Sequence, residues 1–229
     1  MREPGELLGA GRDADIFECG PGLVLRRSRH ARSLADEARV MTFMHEQGYP
    51  VPRVDELSAD ELDLVMERID GPSMAHWMSH RPWTLPRGAA MLADLHDQLH
   101  AISAPDFLWD ADVGQGTQVV HMDLHPLNVI ISARGPVVID WARPGRGDPM
   151  TDVAAAYLLM ATAAVPSGRV QGAVIALGRS WLADSFVRRY DRAALAPALS
   201  VAAEWKALDT NMSATEIAAM RRLAASAGA

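Results

Sequence analysis

Apolar positions change their spacing along the chain. Short β-prone runs come first, at Leu7–Gly11, Ala14–Cys19 and Leu23–Arg26, and Gly20-Pro21-Gly22 between the last two predicts a hairpin. From Ser33 to Gly48 the spacing turns helical, with Leu34, Ala38, Met41 and Met44 on one stripe. Ser33 reads as its cap, Asp36 and Glu37 suit its first turn, and Gly48 ends it. Pro50 and Pro52 forbid continuation. Val51–Leu57 and Leu62–Ile69 read as strands joined by a turn at Ser58–Glu61. After Asp70-Gly71-Pro72 helices take over, beginning with Arg87–Ile102, whose Leu92, Leu95, Leu99 and Ile102 share a face. A short β section follows at Gln118–His121, Val129–Ser132 and Val137–Asp140. Beyond Pro149 the pattern predicts helices at Thr151–Val165, Arg169–Tyr190, about Ala194–Leu208 and Ala214–Ala225, with Ser213 and Glu216 as a capping box.

This order predicts an α+β, bilobal chain. Residues 1–67 form a small antiparallel β-rich lobe with one helix, residues 68–229 a larger, mostly helical lobe, and the hinge lies at about 67–71. Such a layout predicts a ligand cleft at the junction. Composition narrows the picture. Of 229 residues, 49% are apolar and 22% charged, which is globular and not disordered. Cys19 is the only cysteine, so an intrachain disulfide and a cysteine zinc site are both excluded, and a reducing, cytoplasmic setting is expected. The opening MREPGELL lacks the apolar stretch of a secretory signal. The apolar run Val153–Val165 is shorter than the ~20 residues of a membrane span and reads as a buried helix, so no membrane partner is expected. A net charge of −7 argues against nucleic acid, whose phosphates require clustered Lys and Arg. Lys206 is the only lysine, so arginine supplies nearly all positive charge.

Candidate chemistry concentrates in HMDLHPLNVI, His121–Ile130, and in Val137–Ala154. Asp123 and Asn128 have the D-x-x-x-x-N spacing of a kinase catalytic loop, in which the Asp orients the attacking hydroxyl and the Asn ligates magnesium. Asp140 follows where a second magnesium ligand belongs, and an amide and a carboxylate are hard oxygen donors that suit Mg²⁺. His96 with His100, and His76 with His80, lie four apart on helices, but no H-E-x-x-H pattern accompanies them, so they read as surface or satisfied histidines. Asp148, before Pro149, reads as a helix cap as readily as a functional group.

His121-Met-Asp123 to Asn128, Ile139-Asp140-Trp141 and Gly147-Asp148-Pro149-Met-Thr-Asp152 occur in order at compatible spacings. Together they resemble the aminoglycoside phosphotransferase family of kinase-like enzymes, whose motifs read H-G-D-x-x-x-x-N, I-D-W and G-D-P-x-x-D. The resemblance implies a protein-kinase-like fold over nearly the whole chain. It also implies ATP- and Mg²⁺-dependent transfer of the γ-phosphate to a hydroxyl of a small molecule, antibiotic or metabolite. Asp123 would be the catalytic base, Asn128 and Asp140 the metal ligands, and Asp152 a brace on the catalytic loop, while His121 and His125 would hold that loop by hydrogen bonds.

In the N-terminal lobe the same resemblance puts Gly9 and Gly11 at the phosphate-covering turn, with Asp13 and Asp15 facing solvent. Ile16 and Val24, with Leu8, would sandwich the adenine, and the backbone of Met66, Glu67 and Arg68 would meet its edge. Leu23-Val-Leu-Arg26 aligns with the V-A-I-K strand, with arginine in place of lysine, an exchange that is not conservative. Glu37 shares a helix face with Leu34, Met41 and Met44, where a carboxylate needs a buried partner, and Arg26 is the expected one, the alternative being a first-turn Glu that only favours the helix dipole. Arginine at position 26 and the incomplete glycine loop support a competing reading, a nucleotide-binding regulatory pseudokinase. A metabolite kinase of choline, homoserine or sugar type on the same fold is a third, and a monomer or dimer is expected. Charge bears on the acceptor. Residues 1–67 hold 14 acids and 8 bases, residues 68–229 hold 15 and 14, so the acceptor lobe has little acidic excess to trap a polycation.

Overall fold

A computed structural model describes residues 2–162, 169–210 and 212–227. The elements run β1 (Leu7–Ala10), β2 (Ala14–Glu18), β3 (Leu23–Ser28), α1 (Ala35–Glu46), β4 (Val54–Leu57), β5 (Asp63–Glu67), α2 (Met74–His80) and α3 (Leu85–His100). They continue with β6 (Gln118–Val120), β7 (Val129–Ser132), β8 (Gly135–Val138), β9 (Gly145–Gly147), α4 (Pro149–Thr162), α5 (Arg169–Val187), α6 (Arg192–Ala207) and α7 (Ala214–Ala227). The chain divides into two compact units. One joins Met1–Pro72 with Val129–Arg143, the other Ser73–Asn128 with Pro144–Ala229. Where the sequence pattern suggests a single division near the hinge, the units are interleaved.

The first unit is an antiparallel five-stranded sheet in the order β1-β2-β3-β5-β4. Register decides what each face carries, because side chains alternate along a strand. Gly9 pairs with Ile16, Ile16 with Arg26, and Val24 with Met66, so these residues share one face. The opposite face carries a small core of Cys19, Leu23, Leu25 and Val65 with Phe17 packed on it. Gly11 is required at the β1–β2 turn, where a Cβ would lie 2.8 Å from the carbonyl oxygen of Ala14. The helix expected from Ser33 begins at Ala35: the Ser33 hydroxyl donates to Glu61 at 2.5 Å and accepts from Ala35 N–H.

The β7–β8 hairpin joins this unit through backbone hydrogen bonds. Val138 N–H donates to Pro50 C=O at 2.8 Å and Ile131 N–H to Pro72 C=O at 2.9 Å. The Tyr49 and Trp141 rings meet edge to face at 5.7 Å. Gly71, at φ +149°, admits this approach, since a Cβ there would lie 2.2 Å from Ile131 O. The strand expected to reach Asp140 ends at Val138, and Asp140 follows in the left-handed region at φ +64°.

The second unit is helical apart from the β6–β9 pair. α3 buries Leu92, Leu95 and Leu99. α4 is buried on most sides, which explains its continuous apolar run, and it packs against α5, α6 and α7. Residues 163–165, the expected end of that helix, lie outside the described residues. Asp148 caps α4, accepting from Met150 N–H at 3.2 Å and from the Thr151 hydroxyl at 3.1 Å. The Ser213–Glu216 box closes α7, with Ser213 N–H on Glu216 at 3.0 Å and Glu216 N–H on Ser213 at 3.2 Å. Among the described residues no helix is long and apolar enough to cross a membrane.

Candidate active site

In the second unit, β6 delivers the chain into a tight loop whose backbone is gripped by Asp152. This carboxylate is fully buried at the start of α4. Its Oδ2 accepts from His121 N–H at 3.1 Å and faces His100 Nε2 at 3.0 Å, while Oδ1 accepts from Met122 N–H at 2.7 Å. Burial by itself would raise the carboxyl, but the His100 hydrogen bond and charge outweigh it and hold the group well below the usual carboxylate range. Met122 stands where the related motif has glycine, and its φ of +62° is the conformation glycine would take without strain. Its side chain is fully buried, which offsets that strain.

The loop presents Asp123. Its side chain keeps 35% of its surface exposed, so a substrate can reach it, yet every neighbour favours its ionised form. Asn128 Nδ2 donates to its Oδ2 at 2.9 Å and to its backbone carbonyl at 2.9 Å. His125 Nε2 lies 3.6 Å from Oδ2, and Lys206 Nζ donates to Oδ1 at 2.7 Å. Desolvation pushes the carboxyl up, but His125 and Lys206 together hold it well below the ordinary range. His125 is itself fixed, its Nδ1 accepting from Leu127 N–H at 3.3 Å. Because the Asn128 amide nitrogen is committed to Asp123, its oxygen is the atom left for a cation.

In the first unit, Arg26 Nε lies 3.2 Å from Glu37 Oε1 as an ion pair, without hydrogen-bond alignment. The Glu37 side chain is 7% exposed and burial pushes its carboxyl up against the opposing charge of Arg26. Arg26 Nη2 also reaches Asp140 Oδ1 at 3.5 Å, and the Asp140 side chain remains 42% exposed. Arg26, Glu37 and Asp140 thus form one charged group beside the sheet face that carries Gly9, Ile16, Val24 and Met66. The strand end is different. Glu67 N–H donates to Arg53 C=O and Arg68 N–H to Gly22 C=O, at 2.8 and 2.9 Å, so neither is available to a ligand edge. The Glu67 carboxylate is taken up by Arg134 at 2.9 Å. Asp13 is exposed, and Asp15 is half-buried and pairs with Arg29.

A model of the phosphotransferase enzyme family matches residues 5–114 and 106–205. The chain belongs to this family. No curated protein matches the sequence significantly. Solved structures align over nearly the full length of this family member. A choline/ethanolamine kinase family protein from Mesorhizobium loti superposes with a TM-score of 0.62 at 16% identity, covering 98% of this chain and 88% of that one. An aminoglycoside-3'-phosphotransferase of type VIII gives 0.57 at 21%, covering 95% and 90%. A thermostable mutant of aminoglycoside phosphotransferase APH(4)-Ia, in ternary complex with AMP-PNP and hygromycin B, gives 0.67 at 16%, covering 97% and 92%. The fold is therefore the bilobal, protein-kinase-like α+β fold of these phosphotransferases.

Lys206 is the functional candidate that reading the sequence misses. It lies 83 residues from Asp123, in a helix with no motif. Its one signal is compositional: it is the only lysine in a chain where arginine supplies nearly all positive charge.

Proposed function

We propose that this protein transfers the γ-phosphoryl group of ATP to a hydroxyl of a small molecule. The observation that carries this reading is the Asp123 carboxylate, exposed to substrate yet held ionised, on a loop locked by Asp152 and Asn128. In this reading Asp123 accepts a hydrogen bond from the acceptor alcohol and orients its oxygen for in-line attack. A carboxylate with so low a proton affinity positions the hydroxyl and takes its proton late, as the bond to phosphorus forms. This suits a loose transition state, in which the nucleophile needs little activation. Arg26, steadied by Glu37, takes the place of the strand lysine that holds the α- and β-phosphates. Gly9 and Gly11, Ile16, Val24 and Met66 are the proposed nucleotide contacts. With the Glu67 and Arg68 N–H groups engaged in the sheet, any adenine contact at those two residues falls to their carbonyls.

The donor set fits Mg²⁺: the Asn128 oxygen and the half-exposed Asp140 carboxylate are hard ligands, few enough to leave room for water and phosphate. When bound, the ion would neutralise charge on the β- and γ-phosphates. Among the described residues no cluster of three or more His, Cys, Asp or Glu forms an alternative metal site. The test is ADP release across a panel of alcohols together with nucleotide binding by calorimetry. Asp123→Asn is expected to lose about 10²–10⁴-fold in turnover while keeping Mg·ATP affinity, because it changes the base and not the nucleotide contacts. Asp140→Ala is expected to lose magnesium-dependent nucleotide binding. Binding of ATP with no transfer to any alcohol would favour a regulatory nucleotide binder instead.

A further inference from the structure

We propose that Lys206 sets the acceptor class: its ammonium, seated on the Asp123 carboxylate, restricts the site to hydroxyl compounds that carry no positive charge. The inference rests on the phosphotransfer reading, in which Asp123 receives the acceptor hydroxyl.

Lys206 is 2% exposed and sits in the last turn of α6, where the helix dipole favours a cation. Its ammonium donates to Asp123 Oδ1 at 2.7 Å and lies 5.3 Å from the Trp205 ring centroid. The charge of the catalytic carboxylate is therefore already balanced before an acceptor arrives. A hydroxyl that bonds Asp123 at about 2.8 Å stands within about 6 Å of the Lys206 nitrogen. An ammonium borne next to that hydroxyl meets a like charge at comparable range. At an effective dielectric constant of about 20 this repulsion cancels what Asp123 would otherwise contribute, a loss on the order of 100-fold relative to a site without the lysine, and leaves nothing to offset the desolvation of the incoming ammonium.

Four other carboxylates of the helical unit are already engaged. Asp152 is committed to the catalytic loop and His100. Asp94 and Asp97 are both paired with Arg189, and Glu204 with Arg221. Recognition of a polycation needs uncommitted carboxylates, and these four are neutralised internally. A neutral sugar, a polyol or a hydroxy acid meets no such barrier.

The test uses the full chain, as wild type, Lys206→Met, and Lys206→Met with Asp123→Asn. Calorimetry with kanamycin, a polycation at neutral pH, is expected to show no saturable binding by the wild type at millimolar concentration. Lys206→Met should bind it at least 10-fold more tightly, and the added Asp123→Asn should reverse the gain, since the freed carboxylate is what attracts the cation. A structural role for Lys206 would not produce that reversal. In parallel, ADP release is compared for matched acceptors such as glucose and glucosamine, and the wild type should disfavour the amino sugar by at least 10-fold in kcat/KM. If Lys206→Met does not fold, the wild-type measurements decide. Micromolar kanamycin binding, or preference for the amino sugar, overturns the inference while leaving phosphotransfer intact. No ADP release with any alcohol, but kanamycin affinity that still responds to Lys206, overturns phosphotransfer and upholds the charge effect.

Discussion

Two residues that depart from the family motifs show how substitution is absorbed. Arg26 replaces a lysine and Met122 a glycine, and each is held by a buried acid, Glu37 in one case and Asp152 in the other. Truncating Arg26 to alanine strands Glu37 in an apolar setting. Breaking one partner of a buried pair costs about 3–5 kcal/mol, and Glu37→Gln should cost less because the Arg26 guanidinium left behind keeps Asp140 as a partner. Urea midpoints of the two variants check this order. At Met122 two effects oppose. Glycine would relieve about 1–2 kcal/mol of left-handed strain. It would also empty a fully buried methionine site, and truncating such a residue even to alanine costs about 2–5 kcal/mol. The second wins, so Met122→Gly should be less stable than wild type by roughly 1–3 kcal/mol in the same measurement.

α3 contributes a pH dependence at the scale of an element. His96 is completely buried on its core face, with Nδ1–H donating to Leu92 C=O at 2.9 Å and the Phe186 ring at 5.0 Å. Nε2 has no hydrogen-bond partner, so the imidazole is neutral, and burial pushes its pKa down to about 4. The unfolded chain binds this proton near pH 6.5, the folded chain only near 4. Between those values the unfolded state holds more protons, so stability is complete above about pH 6.5 and falls as the pH drops. The loss reaches about 3 kcal/mol by pH 4. His96→Leu should flatten the urea-midpoint profile across that window. An unchanged slope would assign the pH dependence to other groups. Below pH 4 the buried Asp152 adds a further loss of the opposite origin, since its depressed pKa stabilises the fold only while the carboxylate stays ionised.

Across the whole molecule, the interleaving of the two units has a consequence for folding. Residues 1–72 are joined by the separate β7–β8 hairpin through Pro50, Pro72 and the Tyr49–Trp141 contact. The isolated segment 1–72 would leave these backbone groups and apolar surfaces unpartnered. It is expected to lack a cooperative thermal transition by circular dichroism, whereas the same segment linked to residues 129–143 should regain one. The strands other than β9, the single N-terminal helix and the helical second half were legible from hydrophobic spacing, and the capping box at Ser213 from its Ser-x-x-Glu spacing. Asp123, Asn128 and Asp140 stood out as candidates by the spacing of their polar residues, because chemistry confined to one loop and one strand end leaves a local motif to read. β9 was not legible, since Gly145-Arg-Gly147 reads as turn and pairs only because Gln118–Val120 is presented to it.

Local pattern, then, determined the elements, the order of the loop motifs and the Arg26–Glu37 pair, for which an acid on an apolar helix face leaves few partners. Tertiary structure alone decided three things. It grouped the 129–143 hairpin with the N-terminal sheet, it engaged the Glu67 and Arg68 amides within that sheet, and it seated Lys206 on Asp123. Each is a contact between segments far apart in sequence, and neither spacing nor propensity encodes which distant backbone or charge a residue will meet. For Lys206 the consequence is chemical: one buried ammonium, silent as a motif, sets the charge of the site that the motif residues build.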